Sequence, residues 1–326
     1  MGNTVEKSAE LRAERVLKGK QFFSKIVSFL GLVVLVIFFS VVTGGKLLSV
    51  SNLELIVKQG FTLFITALAA VFIMSTGNLD FSIGANIGFS CAICALSARA
   101  FSPAVGVLVA VAVGTLIGLI NGLVITKLKL PSFISCLCMM FILTAATQTI
   151  CAAQGGSISM PLAMRKWESL ELYAVIGVIY LLIMLVLFRY TRFGKYMKTL
   201  GVSPEAARQS GVNLDRMIVL GYLLTGFAAG LAGFFSMIRT GGASTTTGTS
   251  MSTDVMIAIV FGGMSISGGA TSKISAAVLG FLIVTILNNG MILAGFGGEM
   301  QQLVKGILFL VVIAVSTKRD PNTIIK

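Results

Sequence analysis

The sequence predicts an all-α fold, a polytopic membrane helix bundle of about ten transmembrane helices. Three observations predict it. Of 326 residues, 56% are hydrophobic and only 11% charged, and the mean hydropathy is +0.97, outside the range of water-soluble domains. Apolar runs such as Ile26 to Thr43, Pro103 to Thr126 and Met217 to Ile238 reach or approach the roughly 20 residues that cross a bilayer. The lysines and arginines gather in alternate connections, the bias that orients membrane chains.

Taken in order, residues 1–25 are polar and charged, and the apolar run from Ile26 to Thr43 lacks a small-residue cleavage site. It is therefore expected to be a retained first span after a cytoplasmic segment. Further spans are expected at 53–75, 83–98, 101–126, 132–152, 172–188, 217–238, 254–267, 274–294 and 302–317, before a cytoplasmic tail at 318–326. The transmembrane body is thus 26–317, with one sizeable connection at 189–216. This arrangement places 18 of the 25 basic residues inside, with both termini cytoplasmic. Lys46, Lys58, Arg99, Arg165, Lys166, Arg239 and Lys305 fall outside or near outer span ends. The connections near Asn78 and Gly269 carry little charge, which leaves room for a broken or re-entrant helix among the second, third and eighth spans.

The formal net charge of +13 is accounted for by this sidedness, and no nucleic-acid partner is expected. Membrane lipid is the surrounding medium. Small residues recur every four positions at Gly106, Ala110, Gly114, Gly118 and Gly122, and again at Thr225, Ala229 and Gly233. Such stripes let helix backbones approach where lipid offers no hydrophobic drive.

Polar residues at membrane depth are costly unless they face a partner or a cavity. The candidates for a translocation path are Asn78 and Asp80, in a cluster with Thr76 and Ser82, then Asn121, Asp254, Asn288 and Asn289. Their amides and carboxylates suit hydroxyl-bearing solutes, whose groups donate and accept together. Each also fits helix capping or interhelical hydrogen bonding. Asp80 and Asp254 are expected near span ends.

Several chemistries are excluded. The chain has no GxxxxGK[ST] phosphate loop; SGGATSK at 267–273 has its lysine after the serine. It has no histidine, which removes histidine relays and most triad chemistry. The five cysteines lie in apolar runs and are read as small hydrophobes. No catalytic residue, metal site or cofactor is expected, and the chain is not expected to be an enzyme.

The connection 189–216 contains GVSPEAARQSGV. Ser203 is a good N-cap, Pro204 suits the first helical position and Gly211 suits a left-handed stop, so a helix of about two turns is expected. Its apolar residues, Ala206, Ala207 and Val212, are too few for a core of their own. It is expected to lie across the cytoplasmic mouth.

Glu205, Ala206 and Ala207 followed by Gly211 resemble the EAA loop of ABC importer permeases. With TRFGKYMKTLGVSPEAARQSGVN (191–213), STGNLDFSIG (75–84), GLINGLVI (118–125), FGGMSISGG (261–269) and LNNG (287–290), the chain resembles the ribose-type simple-sugar permeases of the branched-chain amino acid/sugar permease superfamily, over residues 50–319. The resemblance implies a type II-like importer permease in a bacterial inner membrane. It implies an ABC ATPase subunit, an extracytoplasmic sugar-binding protein and a second permease subunit, identical or not. Glu205 would be the charged contact to the ATPase, Ala206 and Ala207 would let it approach, and Gly211 would turn the chain back. A branched-chain amino-acid permease is the alternative within the superfamily; an ion-coupled secondary transporter is the alternative outside it. Ser252 and Thr253 in GTSMSTD (248–254), and Glu299 in GFGGEMQQ (295–302), stand where the family often has charge, bulk or an aromatic. That departure weighs against ribose itself and leaves an unusual sugar, a polyol or a furanone-like signal open.

Overall fold

The computed structural model describes residues 28–316. The expected segments 1–25 and 318–326, with their basic residues, lie outside the described residues. Among the described residues twelve α-helices follow one another: α1 (Ser28–Val42), α2 (Val50–Ser75), α3 (Ile83–Ala100), α4 (Pro103–Lys127), α5 (Ser132–Ala153), α6 (Leu170–Arg189), α7 (Arg192–Val202), α8 (Pro204–Gln209), α9 (Leu214–Thr240), α10 (Met251–Phe261), α11 (Ile274–Leu293) and α12 (Gly298–Ser316). Seven of these are long and apolar enough to cross a membrane: α2, α3, α4, α5, α6, α9 and α11. Two short strands, β1 (Ser157–Ser159) and β2 (Gly242–Ser244), pair antiparallel with Ile158 opposite Ala243. The sequence reading contains no strand.

The expected eighth span is where the helix breaks. α10 has 11 residues, about 16 Å of helix against a hydrocarbon core of about 30 Å, so it crosses only half of it. Gly262 ends it, and the chain turns at Gly263, Gly268 and Gly269, all with positive φ. Residues 76–82 interrupt the chain between α2 and α3 in a similar way.

α2 and α9 form the centre. From Phe61 to Ser75 α2 is buried on every side, as a helix apolar all round must be. Phe61 stacks edge-on against Phe235 of α9 at 4.5 Å and against Tyr173 of α6 at 4.9 Å. The glycine stripe of α4 packs against α9, through Gly226 and Gly230 rather than through the stripe read at Thr225, Ala229 and Gly233. Gly114 lies against Gly230, and Gly118 against Gly226, with backbones so close that a Cβ on Gly114 would come within 2.6 Å of the Gly230 Cα. Gly233, from the stripe read in the sequence, instead faces Ile87 to Cys91 of α3. Thus α9 uses one small-residue row for α4 and another for α3.

The outer helices turn apolar side chains outward, as lipid contact requires. On α6, Val175, Val178, Ile179, Leu182, Ile183 and Val186 are exposed. Cys138 is also exposed, whereas Cys91, Cys94, Cys136 and Cys151 are buried and free.

Candidate functional site

Three places carry the polar chemistry of the chain. The first is at the interruption between α2 and α3. Asp80 is buried and accepts three hydrogen bonds: from the Ser82 backbone N–H at 3.0 Å, the Ser82 hydroxyl at 2.6 Å and the Thr225 hydroxyl at 3.1 Å. Asn121 of α4 donates to the Ser82 Oγ at 2.7 Å, while its own Oδ1 has no partner. Asp80 and Asn121, distant in sequence, therefore belong to one cluster. Asn78 does not join them; it donates to the Thr76 hydroxyl at 2.8 Å and closes the turn. Asp80 lies between the end of α2 and the start of α3, near span ends as expected, yet it is buried, because its partner Thr225 sits eleven residues into α9, about 16 Å along the axis.

The second place is a cavity of about 250 Å³ lined by Gln59, Arg239, Asp254, Asn288, Gln301 and Lys305, among others. Asp254 also is not at a surface. It forms a buried ion pair with Lys305 at 2.8 Å, and its second oxygen accepts from Asn288 at 3.2 Å. Lys305, read as an outer-end residue, is 6% exposed. A lone lysine in an apolar run is a signal that was available, since such a residue needs a partner at depth. Gln301 stands one turn before it on α12 and reaches the same cavity. Arg239 Nε, Thr285 Oγ1 and Asn288 Oδ1 are buried without a partner, so the walls offer both donor and acceptor capacity to a polar solute. Asn289 points elsewhere: it exchanges two hydrogen bonds with Asn52, at 2.9 and 3.1 Å, and lies 3.5 Å from Gln59. Asn288 and Asn289 thus divide between the cavity and an α2–α11 clamp.

The third place is α8. Ser203 Oγ accepts from the Ala206 N–H at 3.1 Å, Pro204 holds the first turn, and Gly211 adopts φ +77°. Glu205 and Ala206 are exposed. Ala207 is not; it is fully buried with Leu200 of α7 and Val212, against Tyr196 and Met217. The expectation that Ala207 faces a partner is corrected, because the helix needs one small residue to sit flat on α7 and α9. Nearby, Lys198 Nζ lies 4.3 Å from the Phe188 ring centroid. Burial, then the charges of Lys273 and Arg189, push its ammonium below the usual lysine range.

Among the described residues no group of His, Cys, Asp or Glu could hold a metal ion.

Residues 52–313 match the family model described as branched-chain amino acid transport system / permease component. The chain is 27% identical to the ribose import permease protein RbsC of Escherichia coli (strain K12), over 94% of this chain and 99% of that one. It is 32% identical to the fructose import permease protein FrcC of Rhizobium meliloti, covering 89% of this chain and 84% of that one. With the galactofuranose transporter permease protein YtfT of Escherichia coli (strain K12) it shares 30% identity over 81% of this chain and 79% of the other. No solved structure matches it. A match across the Asp80 cluster, the cavity and α8 shows that this multi-pass membrane protein belongs to the branched-chain amino acid transport system permease family.

Proposed function

We propose that the chain is the permease subunit of an ATP-binding-cassette importer for a sugar or sugar-like solute, powered by a separate ATPase subunit. The observation that carries this reading is α8. A six-residue helix, capped by Ser203 and seated by Ala207, presents Glu205 and Ala206 at an exposed surface, where the Glu205 carboxylate accepts from the hydroxyl of its own cap, Ser203, at 3.5 Å. Glu205 is the charged contact to the ATPase, Ala206 the close one, and Gly211 the turn that returns the chain to α9. The relatives' names support a sugar as cargo.

The same reading places α8 and both termini in the cytoplasm of a bacterial cell, with the β1–β2 pair outside. There an extracytoplasmic binding protein would deliver the solute to two permease subunits. The 26–317 body, the coupling connection 189–216 and the flanking cytoplasmic segments then have distinct tasks. No catalysis is assigned to this chain. Within it, Asp254, Asn288, Gln59 and Gln301 offer hydrogen bonds to solute hydroxyls in the cavity. Asp80, Asn121 and Asn78 hold the path's wall rather than touch the solute.

Copurification with an ABC ATPase subunit, and its loss on Glu205→Arg, tests the coupling. Uptake of a labelled pentose competed by sugars but not by leucine tests the cargo. Competition by leucine alone would favour the branched-chain amino-acid reading that the family's description names.

A further inference from the structure

We propose that α10 carries displacement of α8 to the cavity, and that Lys305 is its positioning residue, holding the far end of α10 through Asp254. This rests on the reading of α8 as the ATPase contact.

The two ends of α10 are held by polar contacts and its middle is not. Toward the cavity, Asp254 binds Lys305 of α12 and Asn288 of α11. Ser252 Oγ accepts from the Gly84 N–H at 2.9 Å and donates to the Phe81 carbonyl at 2.6 Å, next to the Asp80 cluster. From Val255 to Val260 every residue is apolar and buried. There α10 meets α11 backbone to backbone, with Gly280 against Ala258 and Gly262 against Ala276. Such a surface has no directional bonds, so the position of α10 along its own axis is set at its ends.

The other end leads to α8. The Ser28 hydroxyl donates to the Phe261 carbonyl at 2.7 Å. The loop after α10 then folds onto the end of α2, where the Gly269 N–H donates to the Ser75 carbonyl at 2.9 Å. Gly201 of α7 occupies the same corner. A Cβ on it would collide with the Ser75 carbonyl oxygen and come 2.6 Å from the Gly269 nitrogen. Gly201 precedes by two residues Ser203, the cap of α8. The line of contact therefore runs Ser203, Gly201, Gly269, α10, Asp254, Lys305. Asp254 and Lys305 could be replaced together by neutral groups with little loss of stability, so what the pair provides here is position.

The test is hydrogen–deuterium exchange of the chain assembled with its ATPase subunit in nanodiscs, with and without ATP and orthovanadate. Trapping is expected to change exchange at least twofold in 251–261 as well as in 192–212. Without nucleotide, the double variant Asp254→Asn/Lys305→Met is expected to exchange at least fivefold faster at 251–256, with 83–100 and 214–240 unchanged. Lys305→Arg, which keeps the pair, is expected to match the unaltered chain. A response to trapping confined to 192–212 overturns the proposal, and so does faster exchange spread evenly over all helices. An ATPase that does not bind at all overturns the reading of α8, and this inference with it.

Discussion

Asp254 and Lys305 meet at 2.8 Å with their side chains 5% and 8% exposed, which makes them the most deeply buried opposite charges among the described residues. Removing one charge strands the other. Lys305→Met is expected to destabilise the chain by about 3–5 kcal/mol, and adding Asp254→Asn is expected to recover most of that. Unfolding of the three purified proteins in one detergent reads the difference directly.

Neighbouring alanines on α8 face opposite ways, which separates binding from folding. Ala206→Trp, on the exposed side, is expected to leave stability within about 0.5 kcal/mol while abolishing copurification of the ATPase. Ala207→Trp, inside the contact with α7 and α9, is expected to cost about 1–3 kcal/mol from overpacking. Equal loss of stability in both would contradict the seating of α8 described above.

The cluster at Asp80 predicts a measurable coupling. Thr225→Val and Asp80→Asn each remove one side of the same 3.1 Å hydrogen bond. Their combined effect should fall short of additivity by about 0.5–3 kcal/mol in a double-mutant cycle of thermal unfolding. Additive effects would place the two side chains in separate environments.

Backbone contact between α4 and α9 leaves no room for a methyl group. Gly226→Ala puts a Cβ 2.8 Å from the Gly118 Cα, and about 1–3 kcal/mol of destabilisation is expected. Gly31 of α1, with nothing within 4 Å of a new Cβ, is the control. Gly31→Ala is expected to be neutral or to gain up to about 1 kcal/mol of helix propensity, as detergent melting would show.

Lys198 gives a pH dependence with a definite sign. Its folded-state pKa is lowered from 10.5 by burial, then by Lys273 and Arg189. Between the lowered value and 10.5 the unfolded chain binds the extra proton, so stability attributable to this group rises with pH across that window. Below it, the cost of burying the ammonium, with the repulsion from Lys273 and Arg189, is fully present. The unfolding free energy of the wild type minus that of Lys198→Met should therefore increase as pH rises toward 10.5; a flat difference would refute it.

Much of this was legible in the residues. The capped helix at 203–211 follows from Ser203, Pro204 and Gly211, because capping is local chemistry. The helical bundle follows from the apolar runs, and the low charge near Asn78 and Gly269 leaves room for a broken helix among three spans without choosing the eighth. What the sequence does not show is which way a residue faces once helices pack. Ala207 is buried only because α7 and α9 flank it, and α9 presents Gly226 and Gly230 to α4 because Gly118 and Gly114 stand opposite. Asp80 and Asn121 are separated by α3, and Lys305 is distant from Asp254, so pairing through space was not readable from spacing. The lysine alone, in an apolar run, asked for a partner without naming it.

The stretch between β2 and α10 has a further consequence. Only residues 245–250 separate the end of β2 from the start of α10, a reach of about 20 Å at full extension. Thr247 and Gly248 lie directly on Gly84 and Gly88, where no side chain would fit. The connection is folded into turns, with the Thr247 N–H on the Ser244 carbonyl and the Thr249 N–H on the Thr246 carbonyl, and its backbone is pressed against α3. The strand pair and the half-length helix are thus joined through their shared seat on α3, within six residues of one another.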